Sequence, residues 1–386
     1  KNIKKMIKFG LRPNLKYPIQ LVIWSFVRNV ENEIIGHLFN IRSGLIYMPL
    51  MFLGEFLFGL FLVLYQKIYR NKRKKEATKF LGIKLIINKD VKIKKRDHFI
   101  KIYFLIFLSA FYDFMEFILS IESGSKFINC SYSLETRLKG ILIISDALFY
   151  YYILRLQIFR HQIFSLIIIS IGLILTISTE FIFQDISLAL SYGEFVIYFI
   201  IIFLIELFNS QLDLIEKYLF EYDYVNPFTS LLYEGIFGIV FSIIYCLYKS
   251  PFPVIEPDEN GNNYPLLIFL FCIYVILSGL KNGFRVVTNK IYSPMTATLE
   301  QYFLNPIYIT YYFLVCDDFL SNGKMNYLYY FLNLFFAIFI SLSGCVYNEF
   351  LILFFCKLEH DTHNQVTRRA SFAIELGECE ADDDEL

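Results

Sequence analysis

Residues 163–177 read IFSLIIISIGLILTI, a stretch without a single charge. Runs of this kind recur along the chain, and they leave few folds open. A hydrocarbon core about 30 Å thick takes roughly 20 helical residues to cross, and only helices or closed barrels satisfy their backbone groups inside it. Long continuous apolar runs exclude a barrel. With 56% hydrophobic and 19% aromatic residues among 386, the sequence describes an all-α polytopic membrane protein. Spans are expected near 18–39, 45–66, 99–121, 134–154, 162–183, 194–217, 228–248, 265–290, 295–316 and 327–355. The first contains WSFVRNVENEIIGHLF, in which Arg28, Glu31, Glu33 and His37 sit where lipid tolerates few charges. An interfacial helix is the competing reading for that segment.

A net charge of zero conceals a strongly uneven distribution. Lys and Arg gather in cytoplasmic connections, and ten spans put the N-terminal basic cluster, the Lys67–Arg96 stretch, Arg155, Arg160 and Lys281–Lys290 on that side. The opposite connections, EFIFQDISLALSYGE and SPFPVIEPDENGNNYP, contain no Lys or Arg, as a lumenal or external side would. Residues 209–226, NSQLDLIEKYLFEYDYVN, are mostly acidic yet fall on the cytosolic side. The expected organisation is a basic cytosolic N-terminus over 1–16, five spans over 17–183 with a basic cytosolic loop at 67–98, five more over 184–356, and an acidic disordered cytosolic tail over 357–386. The start of the chain lacks an apolar core followed by small residues, so no cleavable signal peptide is expected there.

The two sets of five share local patterns. EFLFG at Glu55–Gly59 and EGIFG at Glu234–Gly238 both read ExxFG, each in the second span of its half. In the fourth spans Glu135 aligns with Glu300 and Gly140 with Pro306; in the third, Asp113 lies opposite Asn282. Five spans per copy force the second copy to enter the membrane upside down, which predicts two inverted five-helix repeats around a shared midplane site.

MFLGEF, LKGILIISDALFYYYIL, EKYLFEYDY, LLYEGIFG and TNKIYSPMTATLE, together with RLQIFRHQIFSLIIISIGLILTI leading into the fifth span, resemble the drug/metabolite transporter superfamily. More narrowly they resemble the F-type branch of solute carrier family 35, over about residues 20 to 356. The resemblance implies an EamA-type bundle of ten helices, cytosolic termini and alternating access through a central cavity. It also places the chain in an endomembrane (Golgi, ER or lysosome/vacuole) ahead of the plasma membrane. The GALNK-type and FYNN-like signatures of better-known relatives are absent, so a nucleotide-sugar cargo is an analogy only.

Ionisable groups inside spans are costly and are therefore site candidates. Glu55 and Glu234 are read as substrate or coupling groups, or alternatively as structural partners of a neighbouring cation. Lys139 and Lys281, with Arg137 and Arg285 beside them, are candidates for recognising a phosphate or carboxylate; Lys281 and Arg285 stand at (i, i+4) on one helix face. Arg285 and Lys290 have a simpler reading as side chains reaching for the interface. Asp113, Asn282 and Glu300 complete the candidate set, and Glu116, Asp146 and Glu206 are further intramembrane acids. Asn305-Pro306 would break a helix, and Gly54, Gly59, Gly235 and Gly238 are read as close helix contacts.

Seven cysteines without CxxC spacing give neither a zinc site nor a disulfide framework. The five histidines form no catalytic array, so neither an enzyme nor a cofactor is expected. The polybasic loop suits anionic lipid and not nucleic acid, and a homodimer is a candidate assembly. Asn129 heads a sequon in a lumenal loop, Ser371 in RRAS fits a basophilic kinase, and the terminal DDEL is read as chance. The preferred function is a secondary transporter of a small polar metabolite. A transport-inactive membrane scaffold of the same fold is the alternative.

Overall fold

The computed structural model describes residues 7–9, 16–39, 44–81, 94–126, 138, 140–155, 158–182, 192–249, 264–291, 296, 304–310, 324–353 and 358. Helices α1 (Lys16–Phe39), α2 (Gly44–Leu81), α3 (Lys94–Lys126), α4 (Gly140–Tyr152), α5 (Arg160–Ile182), α6 (Tyr192–Glu221), α7 (Pro227–Tyr248) and α8 (Tyr264–Ile291) follow one another. A short helical segment, α9, covers 304–310, and α10 spans Lys324–Tyr347. Seven of these, namely α2, α3, α5, α6, α7, α8 and α10, are long and apolar enough to cross a membrane. The protein is therefore an integral multi-pass membrane protein. Helix α1 carries too many charges to count among the seven, and α4, at 13 residues, is shorter than the span expected over 134–154.

Local chemistry explains the element ends. Asn226 caps α7: its side chain accepts from the Phe228 N–H at 3.1 Å, and Pro227 follows at the first helical position, where a missing N–H costs nothing. Pro49 inside α2 cannot bond the carbonyl of Leu45, and the Cys246 thiol lies 4.0 Å from that oxygen as a weak substitute donor. Hydroxyls on α5 are satisfied within the helix: Ser170 donates to the Leu166 carbonyl, Thr176 to Gly172 and Thr179 to Leu175. Outward faces are apolar, as with Ile167, Ile171 and Ile174 on α5 or Ile243, Ile244 and Leu247 on α7.

Three boundaries differ from the sequence reading. The basic stretch at 67–98 is helical at both ends, because α2 runs on to Leu81 and α3 begins at Lys94; Lys, Arg, Glu and Ala are good helix formers once outside the bilayer. The last span stops at Tyr347 and not at 355. Glu349 there takes a left-handed φ of 59°, and the Phe350 N–H turns back to the Cys345 carbonyl at 2.9 Å, a cap that ends the helix. The sixth span, expected to end near 217, runs on unbroken to Glu221 as α6, and Leu212 through Lys217, at the end placed on the cytosolic side, are all buried.

Beyond α10, strand β2 (Leu351–Leu353) pairs antiparallel with β1 (Ile7–Phe9), Lys8 opposite Ile352. Within the bundle, α2 packs on α7 and α8, and α3 packs on α6 and α7. Helix α1 lies on α8, α10 on α5, and α4 on α6 and α5. Helix α9 is attached to α1 and α10: Asn29 of α1 donates to the Tyr308 hydroxyl at 2.5 Å, and Thr310 meets the Tyr330 hydroxyl of α10 at 3.3 Å.

The tightest crossings are at glycines. A Cβ on Gly54 would stand 2.3 Å from the Val275 carbonyl oxygen, and one on Gly235 would stand 2.5 Å from the Phe56 nitrogen. Backbone thus meets backbone where α2 passes α8 and α7. The close-approach role expected of Gly54, Gly59, Gly235 and Gly238 is what these contacts require.

Candidate functional site

The glycine crossings bring polar side chains from five helices into one buried cluster. Glu55 on α2 is fully buried beside Gly54, and its Oε1 accepts from the Asn282 amide of α8. Glu234 on α7 is 2% exposed and accepts from two hydroxyls: Ser109 of α3 at 2.8 Å and Ser230 of its own helix at 3.1 Å. Glu55, Glu234 and Asp113 of α3 lie within electrostatic reach of one another and of Arg285. The pairing of Glu55 with Glu234 anticipated from the ExxFG repeat is therefore a spatial proximity as well.

Arg285 sits at the centre of the charges. Its Nη2 lies 2.9 Å from Glu216 Oε1, and the same carboxylate accepts from the Asn289 amide at 2.5 Å. Asn289 also reaches Asp213 Oδ1, at 3.3 Å. Lys281, half-buried, faces Asp113, which in turn faces Glu116. A second arm continues along α6, where Ser210 donates to Asp146 of α4 at 2.6 Å; Asp146 faces both Asp213 and Glu206.

The polar residues of α8 explain how one helix can serve so many partners. Tyr274, Ser278, Asn282, Arg285 and Asn289 recur at steps of four, four, three and four, so they form one stripe along a helix with 3.6 residues per turn. The stripe looks inward. All of these but Arg285 are classed as buried, and the Arg285 side chain is only 16% exposed.

Glu55, Glu234, Asp113, Asn282 and Lys281 thus come together as the sequence suggested, although Asn282 bonds Glu55 and not its repeat counterpart Asp113. Arg285, expected to reach for the interface, turns into the bundle. Lys139 and Glu300 lie outside the described residues, as do Glu135, Arg137, the sequon at Asn129 and the phosphorylation candidate Ser371. Asn305 is described and buried. Glu216, Asp213 and Asn289 were not singled out from sequence; the signal was an acidic, amide-rich segment in helical register with apolar neighbours. Among the described residues no three His, Cys, Asp or Glu side chains are arranged to hold a metal ion.

At the outer end of α5, His161 Nε2 lies 3.5 Å from Glu349 Oε1, both buried. One turn further in, Ser165 of α5 and Ser343 of α10 each donate a hydroxyl to the other's backbone carbonyl, at 2.5 and 3.0 Å.

The architecture defines a class, the multi-pass helical membrane proteins with a buried charged seam. No protein-family model matches the chain, and no curated protein matches it.

Proposed function

We propose that the chain is a secondary transporter of a small polar metabolite, built as two inverted five-helix repeats, α1–α5 and α6–α10, with the charged cluster as its transport site. The observation that carries this reading is the packing itself. Exchanging each helix for the one five places on maps α2 on α8 to α7 on α3, and α1 on α8 to α6 on α3; α2 on α7 and α5 on α10 map to themselves. The two contacts of α9 match those of α4 in the same way. Among the described residues, α6 on α8 has no comparable counterpart, and α7 on α8 is more extensive than its counterpart α2 on α3.

The reciprocal Ser165–Ser343 bonds add support, because two identical groups trading identical bonds is what a local two-fold axis produces. Glu55 and Glu234 meet at the other self-matched crossing. The strand pair favours an even count such as ten over seven: six residues lie between Phe9 and Lys16, and the seven Cα-to-Cα steps reach at most about 25 Å. That is less than the ~30 Å hydrocarbon thickness, which supports α1 starting and α10 ending on one side, as an even number of crossings such as ten requires.

Counterflow in proteoliposomes tests the proposal. Purified protein preloaded with a mixed-metabolite extract is expected to exchange labelled cargo, and Glu55→Gln to slow that exchange at unchanged protein yield. Sealed, correctly folded vesicles that exchange nothing would favour a membrane scaffold of the same fold.

A further inference from the structure

We infer that the seam binds a small organic cation carrying N–H donors, an ammonium or guanidinium, and that Glu55 receives it. The inference deepens the transporter reading and rests on it. Six carboxylates (Glu55, Asp113, Glu116, Asp213, Glu216 and Glu234) share the cluster with two cations, Arg285 and Lys281. Carboxylates withdrawn from water need counter-charges or take up protons, and an arriving cation can displace such a proton. Arg285 answers Glu216 directly, and the remainder outnumber what Lys281 can meet.

A second observation concerns which atoms are left open. Glu55 is fully buried, and its Oε2 has no hydrogen-bond partner among the described residues while its Oε1 takes the Asn282 amide. The Oδ1 of Asn289, also fully buried, is likewise open while its amide nitrogen serves Asp213 and Glu216. Both open atoms are acceptors. The open donor nearby, Arg285 Nε, belongs to a side chain whose charge already faces Glu216. A ligand that supplies N–H donors and positive charge satisfies the seam; a phosphate or carboxylate would add acceptors and negative charge to a site rich in both. A metal ion fits less well, because no three candidate ligands converge among the described residues.

The two charge classes give opposite signs in one experiment. Thermal stability of the purified full chain is measured against agmatine, choline, inorganic phosphate and uridine monophosphate, since a ligand that binds the folded state raises its melting temperature. Agmatine is expected to stabilise the wild type, choline less because it has no N–H, and the two anions not at all. Glu55→Gln is expected to weaken agmatine by about tenfold or more, the loss of a charged hydrogen bond. The double variant Arg285→Gln/Glu216→Gln removes the guanidinium together with its own counter-ion and is read against the two anions, which would need that guanidinium. Stabilisation by phosphate or the nucleotide that the double variant abolishes would overturn the inference, as would no effect of either cation or unchanged agmatine binding by Glu55→Gln. Should Glu55→Gln fail to purify, the four-ligand series on the wild type decides alone: stabilisation by agmatine and not by the anions upholds the inference, and any other order overturns it. Counterflow is read separately: exchange of an anionic cargo would leave the transporter reading standing and remove only the charge class.

Discussion

Replacing Gly54 with alanine should loosen the bundle at the crossing that holds the site. The added Cβ would lie 2.3 Å from the Val275 carbonyl oxygen and 2.9 Å from the Gly279 nitrogen, where ordinary contact begins at 3.4 Å. Both obstacles are backbone, so no rotamer change relieves them, and α2 and α8 must separate locally by about 1 Å. Overpacking of this kind costs about 1–3 kcal/mol. The separation also pulls Glu55, the next residue, away from Asn282, and leaving a buried carboxylate without its donor adds about 1–3 kcal/mol. A total near 2–6 kcal/mol should lower the melting temperature of detergent-solubilised protein by several degrees, followed by fluorescence-detected size exclusion after heating. Gly193→Ala is the control, because nothing lies within 4 Å of its Cβ position and alanine favours helix. Equal melting of Gly54→Ala and wild type would refute the backbone contact between α2 and α8.

Two further outcomes follow from the buried charges. Arg285→Gln alone leaves Glu216 uncompensated and should cost about 3–5 kcal/mol, whereas adding Glu216→Gln should recover most of it, read by the same melting assay. At the end of α10, Glu349→Ala loses the His161 contact and keeps a left-handed backbone that costs an L residue about 1–2 kcal/mol. Glu349→Gly loses the contact but relieves the backbone, so the glycine variant should melt higher than the alanine one.

The sequence made some of this plain and hid the rest for physical reasons. Long apolar runs fix helix type almost by themselves, because a bilayer offers the backbone no alternative; of the ten expected spans, seven are helices long and apolar enough to cross among the described residues. The ExxFG match exposed Glu55 and Glu234, since a repeated carboxylate in an apolar run is conspicuous. Their partners were less visible. Asn282 aligns with Asp113 along the repeat, but its hydrogen bond to Glu55 depends on α8 crossing α2, which no one-dimensional comparison contains. Asp213 and Glu216 fell in a segment whose average polarity resembles a connection; only packing against α3, α4 and α8 makes it interior. Arg285 was discounted because it lies near a helix end, where a long side chain has two directions open to it. Three-residue strands such as β1 and β2 leave no periodic signal at all.

The helix pair α3 and α8 shows why a symmetric frame can hold an asymmetric site. At the single offset of 169 residues, Ser109 matches Ser278, Asp113 matches Asn282 and Glu116 matches Arg285. One helix thus supplies acids where its counterpart supplies an amide and a cation. The consequence appears at the paired carboxylates: Glu234 is closed by two hydroxyls, while Glu55 has one oxygen bound to Asn282 and the other open. Were both halves alike, the two carboxylates would compete equally for any donor and repel each other without a mediator. Arg285 and Lys281 both stand on α8, so the cations of the described seam come from one side, as do the open acceptor of Asn289 and the donor that holds Glu55 Oε1. On the proposed inverted-repeat reading, a site of that form would take one ligand in one orientation.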